Sequence, residues 1–237
     1  MACSALDSGT VHHWLKICEQ RAGTAESSFV RSHIEAMSEE ENNVEGQGSA
    51  AMLHAAGTDT IWVTLTIFIL AMVLHPECQR RAQEELDAVL GAGRLPEFRD
   101  RPSLPYVEAI LQETLRQAAP LGLPHVSLED DMYNGMLITK GSIVIANIRS
   151  ITLDENIYHK PTEFIPERFL PQPTGGGEPA PPVYGCGQRI CPGRHFGDNS
   201  IWIAIATILA AVTITKAVGQ DGEEITPEVR FKSTLLK

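Results

Sequence analysis

The chain has 237 residues, of which 43% are apolar and 21% charged, with a formal net charge of −11. That apolar content at this length suffices for a sizeable core and excludes a disordered chain, and the acid excess excludes a nucleic-acid binder, which needs a basic face to neutralise phosphates. Cys3, Cys18, Cys78, Cys186 and Cys191 form an odd, irregularly spaced set in a chain too long to need disulfide staples, which points to a reducing compartment.

The first thirty residues are mixed polar, with His12, His13 and Lys16 and no apolar run, so no signal peptide is expected. Residues 1–34 suggest one or two short helices, and the acidic run Glu35 to Glu45 a solvated lead-in. From about Val44 to Leu74 the spacing predicts an unusually long helix, interrupted at Ala56-Gly57 and stopped by His75-Pro76. A helix so apolar is expected to cross the middle of a core. Pro76 then opens an amphipathic helix, Glu77 to Leu90, with Ala82, Leu86 and Val89 on one side and Glu85 among the charges on the other. Gly91 and Gly93 end it, and a third helix runs from about Tyr106 to Gln117, ahead of Pro120.

Leu137 to Thr139 and Ile143 to Ala146, joined by Lys140-Gly141-Ser142, predict a small hairpin. Residues 154–182 read as irregular, and Pro171 to Pro182, with five prolines and three glycines, as a loop. A last helix carries Ile201 to Val212, and Asp221-Gly222 marks a turn. Ile61 to Leu74 and Ile201 to Val212 are each shorter than the ~20 residues a membrane-spanning helix needs, so both are expected to be core helices and no transmembrane segment is expected.

The most informative stretch is Tyr184-Gly185-Cys186-Gly187-Gln188-Arg189-Ile190-Cys191-Pro192-Gly193. Two glycines two apart allow a tight turn that approaches a flat partner closely, because without a Cβ they take φ > 0 at little cost. The turn delivers Cys191, and Pro192 suits the start of the next helix. A thiol near a helix N-terminus, a cation or a metal loses its proton readily, and direct coordination removes it outright. Cys191 alone also reads as a packing thiol, since free cysteines are among the most buried residues. A zinc site of Cys186, Cys191 and His195 falls short on count, because structural zinc takes four ligands.

The ten-residue pattern resembles the haem-binding signature of the cytochrome P-450 family, which runs aromatic, Gly, x, Gly, x, Arg, x, Cys, x, Gly. Tyr184, Gly185, Gly187, Arg189, Cys191 and Gly193 match it, with Tyr184 where phenylalanine is usual. The resemblance implies that the Cys191 thiolate is the axial iron ligand of haem b, with Gly185, Gly187 and Gly193 in the cofactor-binding turn. Arg189, and His125 in Pro120 to His125, are implied contacts of the haem propionates, with Arg149 a further one where relatives often carry tryptophan.

Three more motifs follow the family's order. Ala56-Gly57-Thr58-Asp59-Thr60 is, from its residues alone, a glycine-opened kink whose Thr or Asp side chain takes over a backbone hydrogen bond. It resembles the family's oxygen-binding stretch, which implies that Asp59 and Thr60 relay protons, although Ile61 stands where a second hydroxyl residue is common. Glu113 and Arg116 stand at i, i+3, a pair worth under about 1 kcal/mol on a surface. With Arg168 of Pro166-Glu167-Arg168-Phe169 they match the family's buried ExxR salt-bridge triad, a structural and haem-supporting device.

The order Thr60, Glu113, Arg168, Cys191 and the flanking text, such as Leu74-His75-Pro76-Glu77, look most like microsomal-type fungal members over about residues 28–237. The implied fold is mainly α with small β-hairpins, the C-terminal half of the cytochrome P-450 fold. It is expected as one partial domain over 1–237. Its parts are short helices in 1–34, an acidic lead-in and long central helix in 35–74, and following helices including ExxR in 77–117. A hairpin and irregular segment in 118–182, the haem-ligand loop in 183–193, and a last helix with clipped C-terminal strands in 194–237 complete it. Members are about twice as long, so an amino-terminal anchor, early helices and substrate-recognition loops are expected to be missing.

The resemblance implies an oxidoreductase, a haem-dependent monooxygenase that inserts one atom of O2 into an apolar organic substrate, with electrons from NADPH through a cytochrome P-450 reductase. A truncated, catalytically incompetent fragment with weak or no haem binding is the alternative. The family's usual place is the cytosolic face of the endoplasmic reticulum membrane; no anchor is expected in this chain.

Overall fold

The structure, a computed structural model, describes residues 45–91, 93–118 and 122–229. The short helices expected in 1–34 and the acidic lead-in before Glu45 lie outside the described residues. The described residues are mainly helical, with three small antiparallel strand pairs. Ile61–Glu228 forms a compact unit of its own, separate from the residues before Ile61.

Helix α1, Glu45–Leu74, runs 30 residues without a break, so the expected interruption at Ala56-Gly57 is absent. A single helical glycine costs only about 1 kcal/mol, and the surrounding helix carries it. The Thr60 hydroxyl donates to the carbonyl of Ala56 at 2.7 Å, a back-bond along the helix that leaves its ladder in place. Continuity also changes the membrane argument. The apolar stretch Ala55–Leu74 is 20 residues, long enough by length and composition to cross a bilayer, so the length argument against a transmembrane segment fails. Thr64, Phe68, Ala71 and Met72, at i, i+4, i+7 and i+8, are its buried stripe.

Helix α2, Pro76–Leu90, starts at the proline and ends at Gly91, whose φ of 66° only glycine takes freely. It buries Cys78, Gln79, Ala82 and Leu86, whereas Val89, expected beside them, is exposed. A 3₁₀ turn, Phe98–Ser103, precedes α3, Pro105–Ala118. Glu85 caps α3 from the neighbouring helix: its carboxylate accepts the N–H groups of Tyr106 and Val107 at 2.9–3.0 Å. Burial pushes its pKa up, against the pull of those two N–H groups.

After α3 the chain makes an excursion of short elements. Strands β1 (Pro124–Val126), β2 (Asp131–Tyr133), β3 (Met136–Ile138) and β4 (Ile143–Ile145) pair as β1–β4 and β2–β3. The expected hairpin between β3 and β4 is therefore wrong. Asn134-Gly135, both at positive φ, form the two-residue turn that folds β3 back onto β2. Lys140-Gly141-Ser142 turns the chain toward β1 instead, with Gly141 donating to the Ser127 carbonyl and Ser127 to that of Ser142.

A short helix α4, Ile148–Thr152, and a 3₁₀ turn, Pro166–Phe169, punctuate the irregular segment that follows. Helix α5, Arg194–Ala211, carries the expected apolar run from Ile201 to its end and packs against α2 and α3. Trp202, Ile205 and Leu209 of α5, Leu86 of α2 and Ile110 and Leu111 of α3 are central to the core. Two glutamines sew α2 to the end of α5. Gln79 exchanges hydrogen bonds with the backbone of Ile214, and Gln83 donates to the carbonyls of Leu209 and Val212. Strands β5 (Ala217–Val218) and β6 (Glu224–Ile225) pair across Asp221-Gly222.

Candidate functional site

The loop before α5 is held by its own backbone. Pro181 and Val183 are buried and fix its start. Gly185 and Gly187 have φ of 76° and 65°, and a 3₁₀ turn, Gly187–Arg189, follows. The Cys191 N–H donates to the Tyr184 carbonyl at 2.8 Å, closing the loop, and the Arg194 N–H donates to the Cys191 carbonyl at 3.3 Å. A Cβ at Gly187 would meet nothing within 4 Å, so the turn is open on that side; the glycine answers the backbone angle, not crowding. α5 starts at Arg194 with Gly193 at its N-cap, so Pro192 lies in the loop, not at the first helical turn. A Cβ at Gly193 would sit 3.9 Å from the Cys191 sulfur.

Three cysteines among the described residues differ sharply. Cys78 is buried, and burial pushes its thiol up to about 11, so it stays protonated in the core. Cys186 is exposed and Cys191 partly exposed. Among the described residues no group of three or more His, Cys, Asp or Glu could hold a metal, so Cys186, Cys191 and His195 do not assemble as a zinc set. What remains is one soft sulfur donor on an open, backbone-closed turn. A lone thiol of this kind can act as a single soft donor to a metal-centred group.

Tyr184 turns its ring toward the first turns of α5, where a Cβ at Gly197 would be 3.9 Å from the hydroxyl. That hydroxyl is buried without a hydrogen-bond partner, and burial, with Asp198 and Cys191 nearby, pushes it up to about 12. An unused hydroxyl is what a phenylalanine position leaves over. Arg189 is exposed at the end of the 3₁₀ turn. His125 stands exposed on β1 opposite Val144, and Arg149, exposed on α4, donates to the Gln117 carbonyl at the end of α3. Asp59 and Thr60 are exposed on α1.

The structure brings Glu113, Arg116 and Arg168 together in the interior. Their side chains are at most 2% exposed. Arg116 grips Glu113 with two parallel bonds, Nε to Oε2 at 2.8 Å and Nη2 to Oε1 at 2.7 Å, and donates to the carbonyls of Thr152, Pro161 and Glu163. Arg168 Nε lies 3.1 Å from Glu113 Oε2, and its other nitrogens donate to the carbonyls of His159, Lys160 and Glu163. Glu113 also accepts the Ile165 N–H at 3.0 Å. Helix α3 thereby clips the segment from Thr152 to Arg168, largely irregular between α4 and the 3₁₀ turn, against the core.

Two acids escape a reading of the sequence. Glu178, in the Pro- and Gly-rich loop, pairs with Arg168 at 2.8 Å. Glu167, next to Arg168, accepts the Tyr106 hydroxyl at 2.8 Å and pairs with Arg81. A lone acid in a loop carries no local signal, although a count of two arginines against one glutamate called for a second carboxylate.

Comparison with known proteins fits this arrangement. The Cytochrome P450 family model matches residues 12–234. The chain belongs to the cytochrome P450 family. It is 43% identical over 218 residues to cytochrome P450 monooxygenase claR of Ampulloclitocybe clavipes, covering 90% of this chain and 40% of that protein. Cytochrome P450 monooxygenase 98 of Postia placenta is 41% identical over 218 residues, with 87% and 42% covered. Cytochrome P450 monooxygenase ple1 of Rhodocybe pseudopiperita is 39% identical over 229 residues, with 91% and 43% covered. All three are fungal, and the chain spans about two fifths of their length. The cytochrome P450 family is a haem family, and the single-sulfur donor set at Cys191 fits that group.

Proposed function

We propose that this chain is the C-terminal part, one partial domain over 1–237, of a haem-dependent cytochrome P450 monooxygenase. The reaction inserts one atom of O2 into an apolar organic substrate and reduces the other to water, with two electrons from NADPH delivered through a reductase. The observation that carries the reading is Cys191, held by its N–H to the Tyr184 carbonyl at the mouth of a turn built on Gly185 and Gly187. Haem b would supply the iron where oxygen is activated, with the thiolate donating electron density that favours O–O cleavage.

The chain's own residues take the remaining roles. Gly185, Gly187 and Gly193 shape the turn, and the Arg189 fork, with His125, would hold carboxylate groups of the cofactor. Asp59 and the Thr60 hydroxyl would move protons, which requires the hydroxyl to turn away from the Ala56 carbonyl it now bonds. Glu113, Arg116 and Arg168 hold the segment that leads into the ligand loop. The endoplasmic reticulum membrane, cytosolic face, is the proposed location. A second reading is that these 237 residues by themselves, about two fifths of their relatives' length, bind haem weakly or not at all and have no catalysis of their own.

Reduced carbon monoxide difference spectroscopy of the purified, haem-supplied chain tests the first reading. The expected result is a thiolate-shifted Soret band that disappears in Cys191→Ser. Absence of the band in the unmodified chain supports the second reading, and its survival in Cys191→Ser overturns the ligand assignment.

A further inference from the structure

The buried ion-pair cluster does not close on three residues. Glu113 faces two guanidinium groups, Arg116 and Arg168, all three within 2% of full burial. One carboxylate against two permanent cations would leave a net positive charge in the interior, a state that proteins avoid because an unpaired buried charge loses its hydration without compensation. Glu178 removes it. Its carboxylate is 14% exposed, with Oε2 2.8 Å from Arg168 Nη1 and Oε1 accepting the His159 N–H at 3.0 Å.

Glu178 is placed there by backbone as well as charge. Its own N–H donates to the Arg168 carbonyl at 2.8 Å, the Gly176 N–H to Glu167 and the Gly177 N–H to Leu170, so residues 175–178 fold back along the 3₁₀ turn. The glycines make that approach possible. A Cβ at Gly175 would lie 2.2 Å from the Glu167 carbonyl oxygen, and one at Gly176 3.0 Å from that of Arg168. Three residues after Glu178 the chain is buried again at Pro181 and Val183, and the Cys191 loop begins.

We propose that Glu178 is the fourth, charge-balancing member of this cluster and the positioning residue that sets the start of the Cys191 loop. The proposal rests on Cys191 being the haem ligand only in its spectroscopic arm. The first arm uses the full chain without haem. Amide hydrogen exchange is followed by mass spectrometry in Glu178→Gln, Glu178→Asp and the unmodified chain. Glu178→Gln should speed exchange in peptides spanning 171–193 by about tenfold or more, as expected when a buried ion pair loses a partner, and leave the β2–β3 hairpin unchanged. Glu178→Asp, which keeps the charge, should fall between the two. Unchanged exchange in 183–193, or an equal rise across 131–138, overturns the proposal. If Glu178→Gln does not fold, Glu178→Asp decides by the same comparison of peptides.

The second arm reads the reduced carbon monoxide spectrum of haem-loaded chains. Glu178→Gln should lower the fraction of bound haem with the thiolate-shifted band, and Glu178→Asp should restore most of it. Equal fractions in all three chains overturn the positioning role. A missing band in the unmodified chain overturns the proposed function instead, while the exchange arm still decides the role of Glu178.

Discussion

Replacing Glu113 by glutamine removes one charge from the interior without removing volume, so its cost is electrostatic and not a cavity. The carboxylate uses both oxygens: Oε1 accepts from Arg116 Nη2 and the Ile165 N–H, and Oε2 accepts from Arg116 Nε and lies 3.1 Å from Arg168 Nε. Glutamine has one acceptor and one NH2, and either orientation points that NH2 at two donors. Breaking a buried pair by removing one partner costs roughly 3–5 kcal/mol, a large share of the ~5–15 kcal/mol that holds a typical domain. With a urea slope of about 2 kcal/mol/M, a loss of about 4 kcal/mol moves the midpoint down by about 2 M. Urea titration of the full chain followed by circular dichroism reads this directly. A shift under about 0.5 M, hence under about 1 kcal/mol, would refute the reasoning, because it would mean that water already reaches the carboxylate.

Two glycine substitutions should move stability in opposite directions. Gly175→Ala drives a Cβ to 2.2 Å from a backbone oxygen that cannot yield, and should lower the urea midpoint by an amount equivalent to about 1–3 kcal/mol. Gly57→Ala meets nothing within 4 Å outside its own helix and should stabilise α1 by about 0.5–1 kcal/mol. Asp100 predicts an acid limb. The Arg94 side chain beside it, with the Glu97 N–H, lowers its pKa from the ordinary 3.8 to about 2. A carboxylate with a depressed native pKa contributes stability that is complete above its unfolded pKa and is lost as pH falls through the native one. The midpoint gap between the unmodified chain and Asp100→Asn should therefore be largest near pH 5 and shrink between pH ~4 and ~2. A gap that does not change with pH would count against the pairing.

The helices were legible because their signals are local. His75-Pro76 stopping one helix, Gly91 ending the next and the apolar stripes of α2 and α3 all sit within a few residues of what they control. The partners of Glu113 were legible by family resemblance, and spacing within the chain alone would have left a surface pair. The strand pairing was not, because β3 has two available neighbours, and the positive φ of Asn134 and Gly135 decides between them. The uninterrupted α1 was missed because a glycine beside Thr58, Asp59 and Thr60 suggests a kink, whereas the Thr60 hydroxyl satisfies itself along an intact helix. Glu85 and Glu178 were invisible for one reason. Each is defined by a backbone or cation that comes from another element.

The glutamine seams between α2 and α5 set the order in which the compact unit can be completed. Gln79 meets Ile214 across 135 positions and Gln83 meets Leu209 across 126, so helix α2 is synthesised long before the strand of chain that satisfies it. Contacts at such separations are slow to form, and a nascent chain must carry Ala82 and Leu86 uncovered until α5 emerges. The last long helix is therefore also the fastener of the first ones. A reading frame that closed before residue 209 would lose more than its final turns, since α2 and α3 would be left without the face they pack against.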